Sequence, residues 1–263
     1  MAEIISNKYY REESVFLPEN LLREARRQKN LKDCRIPSVC LLDPDGDLAD
    51  YLARERLSVK NSCWACYHSS LYSFQLGGME LGIIPCVVGA PYAVLVAEQL
   101  FVSGCELLIS ITSAGIINKS HFDKRFALIT TAIRDEGTSY HYMSPDESSE
   151  INEELRLKLC LTDKLMDSPY FEAMSWTTDA PYRETQTSIG QMQKLNAACV
   201  EMEASALYAL SRVKGYSIIC FAHLTNSMAQ NEGDFEKGDE MGSVDTLNLI
   251  KYVLNLLNPK KLN

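Results

Sequence analysis

Short, nearly continuous apolar runs alternate with amphipathic stretches from residue 39 onward. Such runs predict strands buried on both faces, whereas apolar residues at helical spacing predict helices. Strands are expected at residues 39–42, 107–111, 126–130 and 216–224, with β-rich stretches at 63–74 and 81–88. Helices are expected at residues 47–54, 92–103, 148–166, 204–213 and 244–257. This alternation indicates an α/β fold, a three-layer αβα single domain around a mixed, largely parallel central β-sheet.

A segment of mixed charge precedes the first expected strand. Within it, residues 21–29 are expected to form a short surface helix. No internal repeat or low-complexity linker interrupts the rest of the sequence. We therefore expect an N-terminal extension over residues 1–36 and one domain over residues 37–263, a size at which a single core is ordinary.

The sequence is acidic: 26 Lys and Arg residues stand against 35 Asp and Glu residues, a net charge of −9. This balance argues against nucleic acid as a partner, because contacts to a phosphate backbone need clustered cations. It leaves room for a small anion bound locally, such as inorganic phosphate.

The cysteines and the apolar runs bear on the cellular compartment. Nine cysteines, an odd number, do not suggest a disulfide framework, and a reducing compartment fits them better. The N-terminal residues lack the pattern of a signal peptide. The longest uncharged run, residues 81–97, is broken by Pro85 and Pro91, so it predicts a strand, a turn and a helix start, not a membrane span. We expect a cytoplasmic protein without a membrane partner.

Glu201 and Glu203 flank Met202 where an apolar stretch of β character meets an Ala- and Leu-rich helix. A carboxylate can accept hydrogen bonds from two adjacent hydroxyls, which suits a vicinal diol, and a methionine offers an apolar wall for a sugar or a ring. The helix dipole alone also favours acids in a first helical turn. Because the two carboxylates are only two residues apart, spacing does not decide which of them faces a ligand.

Four stretches, in this order, resemble motifs of the nucleoside phosphorylase superfamily, which includes purine nucleoside phosphorylases, uridine phosphorylases and methylthioadenosine nucleosidases. Residues 107–115 are similar to its strand and phosphate loop, 134–142 to the segment after a later strand, 177–182 to a motif near the base pocket, and 200–203 to its ribose-binding motif. The resemblance extends from about Val39 to the C-terminus. It implies an enzyme that cleaves the N-glycosidic bond of a purine or pyrimidine nucleoside, with phosphate as co-substrate and no cofactor.

The resemblance also implies roles for individual residues. Glu203 would bind the ribose hydroxyls, with Met202 packing on the sugar and Glu201 beside it. Asn226 would face the base. The resemblance implies that this position is an Asp in the branches of the family that process 6-aminopurines. An amide cannot supply a proton, so Asn226 suits a 6-oxopurine or a pyrimidine. The other substrate-binding positions implied by the resemblance are Thr112, Ser113, Ala114, Gly115, Asp179, Tyr182 and Thr225.

The arginines that hold phosphate in the family are missing from the three corresponding places. The first has the acidic turn at residues 43–47, the second has Ser110, three residues before Ser113, and the third, near residues 68–70, has no arginine. Serine does not replace the charged, bidentate fork of a guanidinium. Backbone N–H groups around Ser113 could still form an anion nest, and Arg134 is the first arginine that we would expect to supply the charge.

Three functions therefore stay open. Phosphorolysis is the default that the resemblance implies. Hydrolysis is the alternative, with Asp43, Asp45 or Asp47 activating water as a general base, although this turn could equally be a solvated loop that caps the next helix. The third is a non-catalytic nucleoside or base sensor that keeps Glu203.

Cys63 and Cys66, followed by His68, resemble half of a zinc site. Structural zinc usually needs four ligands from two such pairs, and the sequence has no second Cys-x-x-Cys pair, so no metal is expected. Sites in the family resemble shared sites that a neighbouring subunit completes, so a homo-oligomer, a dimer or a trimer of dimers, is expected.

Overall fold

A mixed β-sheet runs through the middle of the molecule, and the computed structural model describes residues 8–118, 125–160, 168–227 and 232–257. The strands of this described part are β1 (Val39–Asp43), β2 (Ser58–Lys60), β3 (Tyr72–Leu76), β4 (Met79–Pro85), β5 (Leu107–Ile116), β6 (Phe126–Asp135), β7 (Ser149–Glu150), β8 (Tyr170–Thr178), β9 (Cys199–Glu201) and β10 (Ser217–Asn226). The helices are α1 (Pro18–Lys29), α2 (Asp47–Arg54), α3 (Ala90–Val102), α4 (Glu153–Cys160), α5 (Gln186–Lys194), α6 (Ala204–Lys214) and α7 (Ser243–Leu257).

The long strand pairings are parallel. β4, β1, β5 and β10 lie side by side in parallel, and β6, β8 and β9 form a second parallel group. Antiparallel contacts between β10 and β6, and between β5 and β9, join the two groups into a closed ring of five strands. Because β1, β5 and β10 are parallel, their carboxyl ends meet at one edge of the sheet.

Helices cover both faces of the sheet. α3 packs against α6 and α1 on one face, and α7 packs against α2 and α4 on the other. The apolar runs of β5 and β10, including Leu108, Ile109 and Phe221, are buried between these layers. The expected α/β architecture is confirmed.

Several expected elements have different bounds. Helix α2 occupies residues 47–54 as expected, whereas the helix expected at residues 148–166 begins only at Glu153 in α4. Ser149 and Glu150 pair with β6 instead, and the Asn152 side chain accepts a hydrogen bond from the Leu155 N–H at the helix start. Residues 161–167 of that prediction lie outside the described part.

The β-rich stretch expected at residues 63–74 is mostly a loop, with β3 beginning only at Tyr72. β3 then pairs with β4 in an antiparallel hairpin, which agrees with the expected meander. Helix α1 buries Leu22 and Ala25 against Ala65. Within the described ranges, no helix is long and apolar enough to cross a membrane.

Candidate functional site

Glu201 is fully engaged inside the protein. It ends β9, and its Oε1 accepts hydrogen bonds from the hydroxyls of Ser175 (2.9 Å) and Thr177. Its Oε2 accepts the backbone N–H groups of Glu203 and Ala204, each at 2.7 Å. These four donors fix the junction between β9 and α6, so Glu201 holds the backbone of the motif in place.

Glu203 has spare hydrogen-bonding capacity. Its Oε1 accepts the Gly89 N–H at 2.7 Å, at the start of α3, whereas its buried Oε2 has no hydrogen-bond partner among the described residues. Burial, together with the neighbouring Glu201 carboxylate, raises the pKa of Glu203 to about 8. A buried carboxyl oxygen without a partner is costly unless a ligand supplies a donor. Of the two glutamates, Glu203 is the one able to accept from a ligand.

The acidic turn between β1 and α2 is built around Asp43. Its Oδ1 accepts the Gly46 N–H at 3.2 Å and its Oδ2 the Ala49 N–H at 2.9 Å. Gly46 lies at φ 84°, the positive φ that its place in the turn requires. Burial raises the pKa of Asp43 to about 7 even though both backbone N–H groups favour its charged form. Both oxygens of Asp43 thus shape the turn, which makes it a poor choice for the general base that the sequence suggested.

The next acid of the turn reaches β5. Asp45 Oδ2 accepts the backbone N–H of Ser113 at 2.9 Å, and Asp45 Oδ1 lies 3.4 Å from Lys237 Nζ. Lys237 also bonds to Asp47 Oδ2 and is 9% exposed. A carboxylate of the chain itself therefore occupies the anion position that the Ser113 N–H and the Lys237 ammonium create.

The phosphate loop expected at Ser113, Ala114 and Gly115 is not a loop. These residues continue β5, where Gly115 pairs with Val200 of β9 and with Asn226 of β10. Strand alternation also puts Ser110 and Ser113 on opposite faces, because they are three positions apart. The two serines therefore do not combine into one phosphate site.

Arg134 does not supply the missing cation. Its guanidinium donates to the carbonyl oxygens of Met143, Ser144 and Glu147 and to the Ser139 hydroxyl. These bonds hold the segment after β6, so the arginine first expected to bind phosphate has a structural role.

The residues expected around the base are spread along one edge. Asn226 ends β10 and its Nδ2 donates to Thr225 Oγ1 at 3.1 Å, while Met202 is half-buried beside Glu203. Asp179 accepts the Gly137 N–H at 2.8 Å. The Tyr182 side chain is fully exposed, so within one chain it does not line a pocket.

Two residues that the sequence did not single out belong to this region. Lys237 lies in the segment after β10, far along the chain from the acidic turn. No sequence pattern relates it to that turn. His223 interrupts the apolar run of β10, a signal that could have identified it, and lies beside Ser113 in the strand register. Both His223 and Thr112 line a small cavity that the acidic turn closes.

Cys63 forms a disulfide with Cys34, a bond that the sequence did not indicate, whereas the other seven cysteines are free thiols. The bond ties the segment after α1 to the loop before β3, a contact between residues 29 positions apart that sequence spacing does not indicate. Cys63 is therefore not available as a metal ligand, and Cys66 is a buried thiol. No group of three or more His, Cys, Asp or Glu side chains within the described ranges could hold a metal ion.

Known proteins are similar to this chain in sequence. The model of the phosphorylase superfamily matches residues 39–258, so the chain belongs to that superfamily. A guanosine phosphorylase of Halorubrum lacusprofundi is 25% identical over 166 residues, which cover 62% of this chain and 68% of that protein. A uridine phosphorylase of Thermococcus kodakarensis is 21% identical over 211 residues, covering 71% and 76%.

Solved structures share the fold at low identity. A uridine phosphorylase of Vibrio fischeri superposes with a TM-score of 0.70 at 18% identity, over 89% of this chain and 99% of that one. A purine nucleoside phosphorylase of Toxoplasma gondii, in complex with immucillin-H, gives 0.69 at 14% identity, over 88% and 94%. The superfamily and the fold are thus established.

Proposed function

We propose that this protein cleaves the N-glycosidic bond of a nucleoside and that Glu203 anchors the ribose hydroxyls. The observation that carries the proposal is the buried Glu203 Oε2, which lacks a partner among the described residues while every oxygen of Glu201 is engaged. A sugar hydroxyl would satisfy this oxygen. The transition state of such a cleavage resembles an oxocarbenium ion, and hydroxyl contacts strengthen as it forms.

The base that suits the site is an oxo base. Asn226 lies at the carboxyl end of β10, where it can donate to a carbonyl oxygen but cannot protonate a ring nitrogen. A 6-oxopurine or a pyrimidine nucleoside is therefore the proposed substrate, and an adenosine-type compound is disfavoured.

Water is the nucleophile that the geometry favours. The Asp45 carboxylate takes the Ser113 N–H and the Lys237 ammonium, so a phosphate dianion would have to displace a charged group already bound there. A dianion gives up strong hydration on entering a site, and only charge-assisted hydrogen bonds offset that cost. With Arg134 bound to backbone carbonyls, the site offers phosphate little compensation.

Phosphorolysis is the second candidate, and one observation favours it. Lys237 is a buried cation next to the Ser113 N–H, and it could bind phosphate if the acidic turn moved. The names of the related proteins, guanosine phosphorylase and uridine phosphorylase, point to the same reaction.

The test incubates the purified full-length chain with a panel of nucleosides, with and without inorganic phosphate. The free base that is released is measured by chromatography. We expect base release from inosine-, guanosine- or uridine-type compounds at rates that do not depend on phosphate. Nucleoside binding without any release of base would contradict the enzyme and favour a sensor.

A further inference from the structure

His223 is held rigidly in the interior beside the acidic turn. Its ring stacks on Phe126, with centroids 4.7 Å apart and planes inclined by 28°. On another side it touches Gly242, where a Cβ atom would lie 2.4 Å from His223 Cε1. The residue is 5% exposed, and the rigid packing leaves the ring little freedom to turn.

Among the described residues, one nitrogen of the imidazole, the buried Nε2, is left without a hydrogen bond. Burial, together with Arg125 and Lys237, lowers the pKa of His223 to about 4, although Asp45 and Asp245 act in the opposite direction. The ring is therefore neutral at ordinary pH, with one nitrogen able to accept a proton.

A second unpartnered group lies on the neighbouring strand. Ser113 is the register partner of His223 across the pairing of β5 and β10, and its buried Oγ also lacks a partner within the described ranges. Both residues line a cavity of about 20 Å³, together with Asp43, Asp45 and Thr112. A volume of roughly 10–15 Å³ is enough for one water molecule, provided that it finds two or more polar partners.

One residue that lines the cavity, Thr112, is also close to the proposed ribose anchor. Burial is the main cause of the raised pKa of Glu203, and the Thr112 hydroxyl is one of the groups close enough to lower it again. Thr112 is therefore a neighbour of both Glu203 and the cavity, on the strand that carries Ser113.

We propose that His223 and Ser113 hold the attacking water in this cavity and that His223 is the general base that accepts its proton. The proposal rests on the proposed function, since it names the base for the hydrolytic reaction. The two buried, unpartnered polar groups on adjacent strands are the polar partners that a water molecule in this cavity needs.

In the proposed reaction, one water molecule and one nucleoside give one free pentose and one free base. The water oxygen forms a bond to C1′ of the sugar while the C1′–N bond breaks, and the bonding electrons leave with the base. The water proton passes to the His223 imidazole, where Asp45 and Asp245 favour the imidazolium while burial, Arg125 and Lys237 disfavour it. A proton is then returned to the departing base through solvent, so the products are free pentose and neutral base.

The test uses His223→Gln and His223→Ala in the full-length protein, assayed for base release without phosphate. Loss of a general base lowers kcat by roughly 100-fold or more, and KM should stay within about threefold because the sugar and base contacts are unchanged. In His223→Ala, added imidazole should restore part of the rate, since the space between Phe126 and Gly242 fits a ring. Cys220→Ala, a buried change on the same strand, is the control and should keep kcat within about twofold.

Ser113→Ala provides an independent reading if the histidine variants do not fold, because it removes a hydroxyl without adding bulk. We expect kcat to fall about fivefold, the worth of one neutral hydrogen bond. Unchanged kcat in His223→Gln, a loss in His223→Ala that imidazole does not relieve, or unchanged kcat in Ser113→Ala would overturn the assignment. Wild-type activity measured alongside keeps this outcome separate from failure of the proposed function, which would appear as no base release by the wild type.

Discussion

Asp45 accepts a hydrogen bond from the backbone N–H of Ser113 at 2.9 Å, although 68 positions separate the two residues along the chain. The contact places a carboxylate of the chain itself where the resemblance to nucleoside phosphorylases implies a phosphate. Lys237, 3.4 Å from the other Asp45 oxygen, neutralises it. Under the proposed function, this side chain is the one that we expect to keep phosphate from the Ser113 N–H.

Removing the carboxylate should create a response to phosphate. In Asp45→Ala the Ser113 N–H and the Lys237 ammonium lose a charged partner and become available to a dianion. We expect phosphate to stimulate base release by this variant at least fivefold, in contrast to the wild type, when initial rates are measured over a phosphate titration.

Asp50→Ala is the matched control for that titration, because Asp50 is an exposed acid on α2. It removes the same charge from the same helix region and should leave the rate insensitive to phosphate. If Asp45→Ala and Asp50→Ala respond alike, the Asp45 carboxylate is not what excludes phosphate.

Substitutions of the two glutamates of the motif should have different effects, one mainly on activity and the other mainly on stability. Glu203→Ala should lower kcat/KM roughly 30- to 1000-fold, equal to about 2–4 kcal/mol of transition-state stabilisation, with little change in folding. Glu201→Ala leaves four buried donors without an acceptor and should lower the free energy of unfolding by about 3 kcal/mol or more. Kinetics and urea denaturation of both variants measure the two effects, and wild-type kinetics in folded Glu203→Ala would rule out the anchor.

The activity should depend on the ionisation of Glu203. Burial raises its pKa to about 8 in the free protein, so the carboxyl is largely protonated at pH 6 and ionised above pH 8. The ionised form accepts from both ribose hydroxyls, whereas the neutral form has one acceptor oxygen fewer. We therefore expect kcat/KM to rise with pH through about 8, where it should reach half of its plateau, and to level off about one pH unit higher. The residual activity of Glu203→Gln should lack this rise. A profile that falls over the same range would contradict this role.

Base preference should follow residue 226. The amide of Asn226 can pair with an oxo base, and an acid at this position can protonate or hydrogen-bond the ring nitrogen of an aminopurine. Asn226→Asp should shift the ratio of kcat/KM for adenosine over inosine upward by about tenfold, determined by competition between the two nucleosides. A wild type that already prefers adenosine would argue against this contact.

The core strands and helices could be predicted because their apolar patterns are regular, as in α2 and β10. Strand β8 was missed, and the reason lies in the site: Ser175 and Thr177 point inward to donate to Glu201, so they break the apolar run that marks a buried strand. Helix α5, capped by the Thr185 side chain, has only one buried residue, Ile189, and its pattern is correspondingly weak.

Within the site, the sequence indicated both glutamates and the acidic turn but not their division of roles. That Glu201 is saturated and Glu203 is not depends on donors from β8 and α3, elements distant in sequence. The contact of Asp47 with Lys237 joins residues 190 positions apart, and no local pattern encodes it.

The most direct measurement is the identity of the sugar product. The full-length protein is incubated with its preferred nucleoside and a large excess of inorganic phosphate, and the products are identified by mass spectrometry. With Asp45 on the Ser113 N–H, the predicted product is free pentose, formed at a rate that phosphate does not change. Pentose 1-phosphate as the main product, at a rate that saturates with phosphate, would contradict water as the nucleophile.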